Sequence, residues 1–347
     1  MRLEPIANPS TLRRAGLPAT ALLATIAVAS GLAAVAGADP LATLGLIVKG
    51  AVGSKFAALE TLNRATPLIF TGLAVAVAFR ARLWNIGAEA QLYAGAIVTV
   101  LLGSGAVGGP LVLPLMAVTA MAAGAMVLLG PVALKTRFGV DEVVTTLLFN
   151  FIMLLFVSYL LEGPLKDPMG MGWPKSAPLA KEARLPRIVD GLRLHWGFGL
   201  ALIASVAVWV IERRTALGYE MRAVGLNPRA ARFAGIPVDS VLVKTALLSG
   251  GLAALAGFSE VAGLKGHLTL DLSPGFGYTG IIVAMLALLN PLAVVPAALF
   301  VAGVFVGADS MSRAAGVPTY IADMLLATSL LFMVLAILLI RFRVVRG

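Results

Sequence analysis

The sequence has no cysteine among its 347 residues, only two histidines, and few charged residues. The lack of cysteine excludes disulfides, thiol nucleophiles and thiolate metal sites, and His195 and His267 are too few for a histidine-based metal cluster. We therefore expect neither a metal nor a cofactor in this chain. Charged residues make up 13% of the sequence, against about a quarter in soluble domains, which excludes a soluble protein.

Hydrophobic residues are abundant instead and make up 59% of the chain. At about 20 apolar residues per membrane crossing, the length allows about ten helical spans. We predict an all-α, polytopic helical membrane protein with short or discontinuous segments and no fused ATPase or receptor domain. The net charge of +10 suits a membrane protein whose lysines and arginines lie in cytoplasmic loops, so it does not require a nucleic-acid partner.

Charge-free stretches and helix-breaking residues locate the predicted spans. Residues 92–134 are too long for one crossing and are interrupted at 104–110, so they predict a helical hairpin. Residues 272–308 break at Asn290-Pro291 and predict two segments, of which the first is short. The remaining candidates are 17–38, 64–79, 143–161, 194–211, 241–262 and 320–340.

Lysine and arginine set the predicted orientation. The arginines of the C-terminal tail and of the 212–240 loop favour a cytoplasmic location for both termini, with residues 1–16 as a cytoplasmic tail. The proline-rich 163–193 loop is then external and predicts irregular surface structure. Residues 17–38 follow two arginines as a signal peptide would, but a length of about 22 residues favours a membrane span.

Two motifs imitate nucleotide-binding sequences. Residues 275–280 fit G-x-G-x-x-G, but no strand precedes them and no βαβ unit surrounds them. Residues 248–251 read Leu-Ser-Gly-Gly, as in ABC ATPases, but they lie in an apolar helix and the chain has no phosphate-binding loop. Small residues in that helix instead predict close helix packing in lipid, namely Gly250 with Ala254 and Ala253 with Gly257.

A polar stretch at 79–91 separates two apolar segments and contains asparagine, glutamate and glutamine. One interpretation is a broken helix that lines a cavity. The other is an ordinary cytoplasmic turn in which Glu89, near a helix N-terminus, pairs with Arg80 or Arg82. The residues alone leave both interpretations open, and the same choice between re-entrant segment and turn applies to 272–290.

Two further features are not expected of ordinary membrane-spanning helices: a polar segment after Asn227 and the carboxylate of Glu260. Asn227 as N-cap and Pro228 at the first helical position predict a short surface helix, which is either a connector or a docking element for a cytoplasmic partner. Glu260 falls at the end of an otherwise apolar helix. A carboxylate inside the bilayer is functional by default, whereas one at the outer interface need not be.

Several of these stretches, in order along the chain, resemble the nucleoside-type permeases of bacterial ABC importers. That branch belongs with the ribose and branched-chain amino-acid permeases, and the resemblance extends from about residue 20 to the end. The stretches that carry it are Ala65-Thr66-Pro67-Leu68, Leu83 to Gln91, Gly139 to Asn150, Met221 to Ala231, and Gly277 to Ile281.

The resemblance implies a single permease domain over residues 1–347, located in the bacterial inner membrane. Two permease chains would form the pathway, and in this branch the second is usually a different, related chain, with a homodimer as the alternative. ABC ATPase subunits would supply ATP hydrolysis, and a periplasmic or lipid-anchored solute-binding protein would deliver the solute. This chain would itself be no enzyme, and membrane lipids rather than nucleic acid would surround it.

The resemblance and the polar stretches together give two sets of candidate residues. Nucleosides need hydrogen-bonding groups and aromatic faces, and a polar side chain such as that of Asn150 within a span must face either protein or the cavity. The predicted substrate pathway consists of Trp84, Asn85, Glu89, Gln91, Asn150, Glu260, Phe276 and Tyr278. The predicted ATPase coupling region consists of Arg222, Gly225, Asn227, Pro228, Arg229, Ala230, Ala231 and Gly235.

Other functions remain as alternatives. The solute of an ABC permease of this group could be a simple sugar or another small polar molecule. An ion-coupled secondary transporter would favour paired carboxylates inside the membrane, whereas Glu89, Glu142, Glu260 and Asp323 are scattered near predicted helix ends. A membrane-embedded enzyme would need a catalytic cluster, and both histidines lie in predicted external segments.

Overall fold

Helices dominate the computed structural model, as the sequence predicts. The structure describes residues 2–6, 10, 16, 20, 23–28, 30–31, 34, 39–105, 109, 111–189, 191–315 and 320–345. A π-helix, Glu260–Lys265, continues α9, and two short strands, β1 (Arg2–Pro5) and β2 (Phe342–Val345), pair antiparallel. The helices are α1 (Pro40–Val52), α2 (Lys55–Arg80), α3 (Ala88–Gly103), α4 (Val112–Phe138), α5 (Glu142–Glu162), α6 (Gly197–Arg214), α7 (Ala216–Leu226), α8 (Pro228–Phe233), α9 (Val238–Ser259), α10 (Phe276–Leu286), α11 (Pro291–Ala315) and α12 (Tyr320–Arg341).

Five of the described helices are long and apolar enough to cross a membrane: α2, α4, α5, α11, and α9 with its π-helical extension. Helices α1, α3 and α10 are apolar but shorter. Every predicted span from residue 64 onward coincides with a described helix, and the predicted breaks at 104–110 and at Asn290 are confirmed. Of the predicted 17–38 span, residues 23–28 are helical and much of the rest lies outside the described residues.

Helix α1 was not predicted, and α2 begins at Lys55 rather than at residue 64. The search for charge-free stretches missed these turns because Lys49, Lys55 and Glu60 interrupt them. Local capping explains why α1 nevertheless forms. Asp39 accepts a hydrogen bond from the Leu41 amide at 2.9 Å, and a proline occupies the first helical position.

The chain forms two compact units, of which one comprises residues 1–61 and 300–347. Within this unit α1 packs closely on α11. Gly50 faces Ser310, and Gly307 faces the Ile47 backbone carbonyl, in both cases with no room for an added Cβ atom. Small residues therefore allow these two helix backbones to approach each other.

The second unit comprises residues 62–299, and most of α9 is buried within it. Helix α9 packs against both α3 and α4. A Cβ atom on Gly257 would overlap the Leu92 carbonyl oxygen, and one on Gly250 would overlap the carbonyl oxygen of Gly124. The prediction that the small residues of this helix serve close packing is confirmed.

The described part of the 163–193 loop has the irregular structure that its prolines predict, and its external location stays a prediction. Its described part contains one 3-10 turn, Lys181–Ala183, and isolated bridges rather than strands. Two backbone hydrogen bonds tie the loop to the segment after the π-helix: the Ser176 amide donates to Leu268, and the Leu179 amide donates to Gly266.

We expect Gly257→Ala to destabilise the protein, because its methyl group has no space against the Leu92 backbone. Overpacking of this kind costs about 1–3 kcal/mol. The matched control is Gly251→Ala in the same helix, whose added Cβ would lie 3.4 Å from the nearest atom, in Met121. Thermal unfolding of the detergent-purified variants should show a lower midpoint for Gly257→Ala only. Equal midpoints would contradict the close packing of α9 on α3.

Candidate functional site

The central feature of the second unit is the non-helical segment 81–87 between α2 and α3. The backbone of Arg82 there adopts a left-handed conformation, with φ at 54°. Leu83, Asn85 and Gly87 are buried, whereas Trp84 is exposed. The segment therefore alternates between buried and exposed positions, and the choice between a broken helix that lines a cavity and a cytoplasmic turn stays a prediction.

Asn85 and Gln91 bind each other across this break. Each side-chain amide donates to the carbonyl oxygen of the other, at 2.9 Å in both directions. Asn85 also donates to the Ser249 hydroxyl at 3.0 Å and accepts from the Gly87 amide at 3.0 Å. This buried network satisfies both side chains and fixes the direction in which the chain re-enters a helix.

Asn150 of α5 closes the same break from the other side. Its Oδ1 accepts from the Ala90 amide at 2.9 Å, and its Nδ2 donates to the Ile86 carbonyl at 2.9 Å and to the Tyr278 hydroxyl at 3.0 Å. Asn150 is fully buried. In this conformation the side chain therefore contacts protein, and its role in the solute pathway stays a prediction.

The N-terminal ends of α3 and α10 meet beside this network. The Glu89 carboxylate accepts from the Gly277 amide at 2.6 Å, and a Cβ atom on Gly277 would collide with the Glu89 backbone. A carboxylate at the N-terminus of α10 is favourable for that helix. The interpretation that Glu89 pairs with Arg80 or Arg82 is wrong for the described residues, because Arg80 binds Glu212 at 3.2 Å and the Glu89 carboxylate instead caps α10.

The predicted pathway residues differ sharply in exposure. Trp84 and Tyr278 keep 43% and 37% of their surface exposed, whereas Asn85, Glu89, Gln91, Asn150, Glu260 and Phe276 are buried. Trp84 packs edge-to-face on Phe79, with ring centroids 4.7 Å apart. Glu260 begins the π-helix, an irregularity that often marks functional sites.

The predicted surface helix after Asn227 is confirmed as α8. The Asn227 side chain caps it by accepting from the Arg229 amide at 3.0 Å and from the Ala230 amide at 3.1 Å. Ala231 donates to the Asn227 carbonyl at 2.9 Å, and Gly235 ends the turn with a left-handed φ of 83°. A short, well-capped helix is therefore presented at the surface.

Helix α7 connects this surface helix to the break. Gly225 lies directly against the Arg80 carbonyl oxygen, with no room for a side chain. The guanidinium group of Arg222 donates to the Glu212 carbonyl, and Arg80 donates to the Leu289 carbonyl at 2.6 Å as well as to Glu212. These contacts join the ends of α2, α6 and α10 to the 212–240 loop.

Sequence reasoning missed two residues on this face. Leu226 and Phe233 are 78% and 96% exposed, on either side of the capped turn. The sequence did contain an indication of these two residues: each is a large apolar side chain in a polar, arginine-rich loop. The described chain does not bury either of them. Beside α8 lies a cavity of about 260 Å³, bordered by Arg82, Lys135, Pro228, Arg232 and Asp239 among others.

Discontinuous apolar helices that enclose polar groups at their breaks define this protein as a membrane transport component. The chain belongs to the family described as branched-chain amino acid transport system / permease component, whose model matches residues 57–339. It is an ABC transporter permease of this family and a multi-pass protein of the inner membrane. Its relatives are transport components and not enzymes. No solved structure gives a significant match.

Three relatives cover most of the chain. A glucose ABC transporter permease of Haloferax volcanii is 36% identical over 99% of this chain and 93% of its own length. A guanosine ABC transporter permease of Bacillus subtilis is 36% identical over 90% of this chain and 92% of its own. A nucleoside ABC transporter permease of Lactococcus lactis is 31% identical over 81% of this chain and 80% of its own.

We expect Asn150→Leu to destabilise the break, because it leaves the Ala90 amide and the Ile86 carbonyl buried without partners. Each such group costs about 1–3 kcal/mol. The matched control is Thr245→Val, since the buried Thr245 hydroxyl bonds only within its own helix, to Val241 at 2.7 Å. The measurements are the unfolding midpoint and the solute uptake. Unchanged stability with altered uptake would assign Asn150 to the pathway and not to support of the break.

Proposed function

We propose that this chain is a permease subunit of a nucleoside importer. A solute-binding protein delivers the nucleoside from outside, two permease chains form the pathway, and ABC ATPases drive transport from the cytoplasm. The second permease chain is a different, related protein. The guanosine and nucleoside permeases among the relatives support this substrate class.

The observation that carries this proposal is the pairing of exposed aromatic faces with hydrogen-bonding groups around the break. Trp84 and Tyr278 offer partly exposed rings, and the Tyr278 hydroxyl belongs to the Asn150 network. A nucleoside has a planar base for such rings and a ribose for polar partners. Stacking on an aromatic side chain contributes about 1–3 kcal/mol per base in nucleic-acid complexes.

A second candidate solute is a simple sugar. The glucose permease of Haloferax volcanii, at 36% identity over almost the whole chain, favours a sugar as strongly as the guanosine permease favours a nucleoside, because the two identities are equal. A sugar would use the same hydrogen-bonding groups, but it offers no planar base. The two solutes therefore differ in how much they depend on the aromatic rings.

We expect the complete transporter, reconstituted in vesicles, to take up labelled guanosine when ATP is supplied, and unlabelled glucose not to compete. Trp84→Ala should lower guanosine uptake about tenfold, which corresponds to the loss of one stacking contact. Phe151→Ala in α5 is the control, because Phe151 is also an exposed aromatic residue, at 56% against 43% for Trp84. Uptake of glucose without uptake of any nucleoside would establish the second candidate.

In the proposed orientation the 212–240 loop faces the cytoplasm, as its arginines favour. Closure of the ATPases on ATP would then push on α8. Gly225, which contacts the Arg80 backbone, gives this push a direct route through α7 to the start of the 81–87 break. The pathway residues beside the break would change access from the outer to the inner side.

The exposed ring of Phe233 gives the coupling proposal a sharp test. We expect Phe233→Ala to leave the unfolding midpoint unchanged, because 96% of the residue is exposed and contacts little of its own chain. It should reduce ATPase association and transport strongly, since a buried aromatic anchor at an interface is worth about 2 kcal/mol or more. Co-purification of the ATPase with the tagged permease measures this.

Two comparisons complete this test. Ala231→Pro removes the hydrogen bond to Asn227 and should melt so short a helix, with the same loss of coupling. Phe151→Ala serves again as the control, because it lies away from the 212–240 loop. Full ATPase association and transport in both loop variants would refute coupling through α8, and with it the cytoplasmic location of this face.

A further inference from the structure

Asn63 of α2 is a buried polar residue without an assigned role. It is 1% exposed, and among the described residues neither its Nδ2 nor its Oδ1 has a hydrogen-bond partner. Buried side-chain amides in folded proteins are almost always paired. An exception needs a physical reason, because each unpaired group loses its hydration without compensation.

A proline four residues later adds a third polar group at the same turn. Pro67 lies inside α2 and has no N–H, so it cannot donate the helical hydrogen bond that would end on the Asn63 carbonyl. One donor and two acceptors are thus concentrated at a single helical turn. This turn lies between the charged residues Glu60 and Arg64 and the apolar stretch of α2, which is 83% buried.

The position of Asn63 limits which molecules could satisfy it. Because the side chain is enclosed by its own chain, lipid and a second permease chain cannot reach it in this conformation. Asn63 is about 26 Å along the helix axis from Arg80, at 1.5 Å per residue, so it lies toward the opposite end of a span about 30 Å thick. Water or a transported solute, admitted when the helices separate, are the remaining partners.

The next residue connects Asn63 to the pathway residues. The guanidinium carbon of Arg64 lies 5.3 Å from the centroid of the Phe276 ring, a cation–π contact. Phe276 opens α10, and the adjacent Gly277 amide binds Glu89. The turn of α2 that carries Asn63 is thereby tied to the N-terminal ends of α3 and α10, with the Asn63 side chain on a different face of the helix from Arg64.

We propose that Asn63 is a solute-contacting residue of the permeation pathway, which recognises a neutral solute with a hydrogen-bond donor adjacent to an acceptor. A side-chain amide forms two such bonds with the edge of a purine, as asparagine does with N6 and N7 of adenine in DNA. In guanine the adjacent donor and acceptor are N1–H and O6. The base of a nucleoside is thus the group that Asn63 recognises. This inference rests on the proposed import of nucleosides.

The test compares Asn63→Leu with Thr99→Val in the reconstituted transporter. Leucine has a similar volume but no polar atoms, so no protein hydrogen bond is lost, and we expect complex assembly to be normal and the unfolding midpoint equal or higher. Guanosine uptake should fall at least about tenfold at low solute concentration, equivalent to one lost hydrogen bond of about 1.4 kcal/mol. Thr99 is also fully buried, but its hydroxyl bonds only to Gly95 of its own helix, at 2.7 Å, and its variant should transport normally.

Two other outcomes of the guanosine measurements overturn the inference. Normal guanosine uptake by Asn63→Leu would mean that only water or nothing meets this amide. A lower unfolding midpoint or lost assembly would mean that Asn63 supports the fold. If the wild-type transporter imports glucose and no nucleoside, the proposed function fails separately. The same variants are then measured with glucose. A tenfold loss of glucose uptake in Asn63→Leu would retain Asn63 as a solute contact but not as a contact for a base, and unchanged glucose uptake would reject it.

Discussion

The architecture depends on satisfying backbone hydrogen bonds where the chain is interrupted between α2 and α3. A buried amide or carbonyl without a partner is costly, so a buried break survives only when other groups replace the lost helical bonds. Asn150 does this at the 81–87 break by accepting from one backbone amide and donating to one backbone carbonyl. The paired side chains of Asn85 and Gln91 fill the remaining polar space. The short length of α3 and the meeting of its N-terminus with α10 follow from this arrangement.

The same break also meets the surface on which an energy-coupling partner would act. The Arg80 backbone, at the end of α2, touches Gly225 of α7, while its side chain binds both Glu212 and the Leu289 carbonyl. These contacts link the surface helix α8 and the ends of three membrane helices to one short polar segment. Because the packing is by backbone and small residues, little side-chain rearrangement can absorb a displacement of α7. A push on α8 would therefore be transmitted to the break and not dissipated in flexible loops.

Local signals in the sequence were sufficient for much of the fold. Proline and glycine located the breaks at 104–110 and at Asn290, the Asn227-Pro228 pair located α8, and small residues identified the packed face of α9. Helix α1 was missed because charged residues hid an apolar stretch that its cap stabilises. The partner of Glu89 was beyond sequence reasoning, because Gly277 is distant in the chain and the nearer arginines offered a plausible alternative. Which polar groups meet across a membrane protein depends on helix packing, and packing is set by non-local contacts.

Asn150 and Asn63 show what the structure adds to the sequence, namely the hydrogen-bond partners of each buried side chain. Asn150 and Asn63 both lie in apolar helices and both are buried, so a sequence argument gives them the same choice between facing protein and facing a cavity. The structure separates them, because Asn150 meets partners with both of its polar atoms and Asn63 meets none among the described residues. Replacing the first removes bonds that the fold uses, whereas replacing the second removes only a desolvation cost. In our proposal the unpaired amide of Asn63 binds the solute, because neither of its polar atoms has a partner among the described residues.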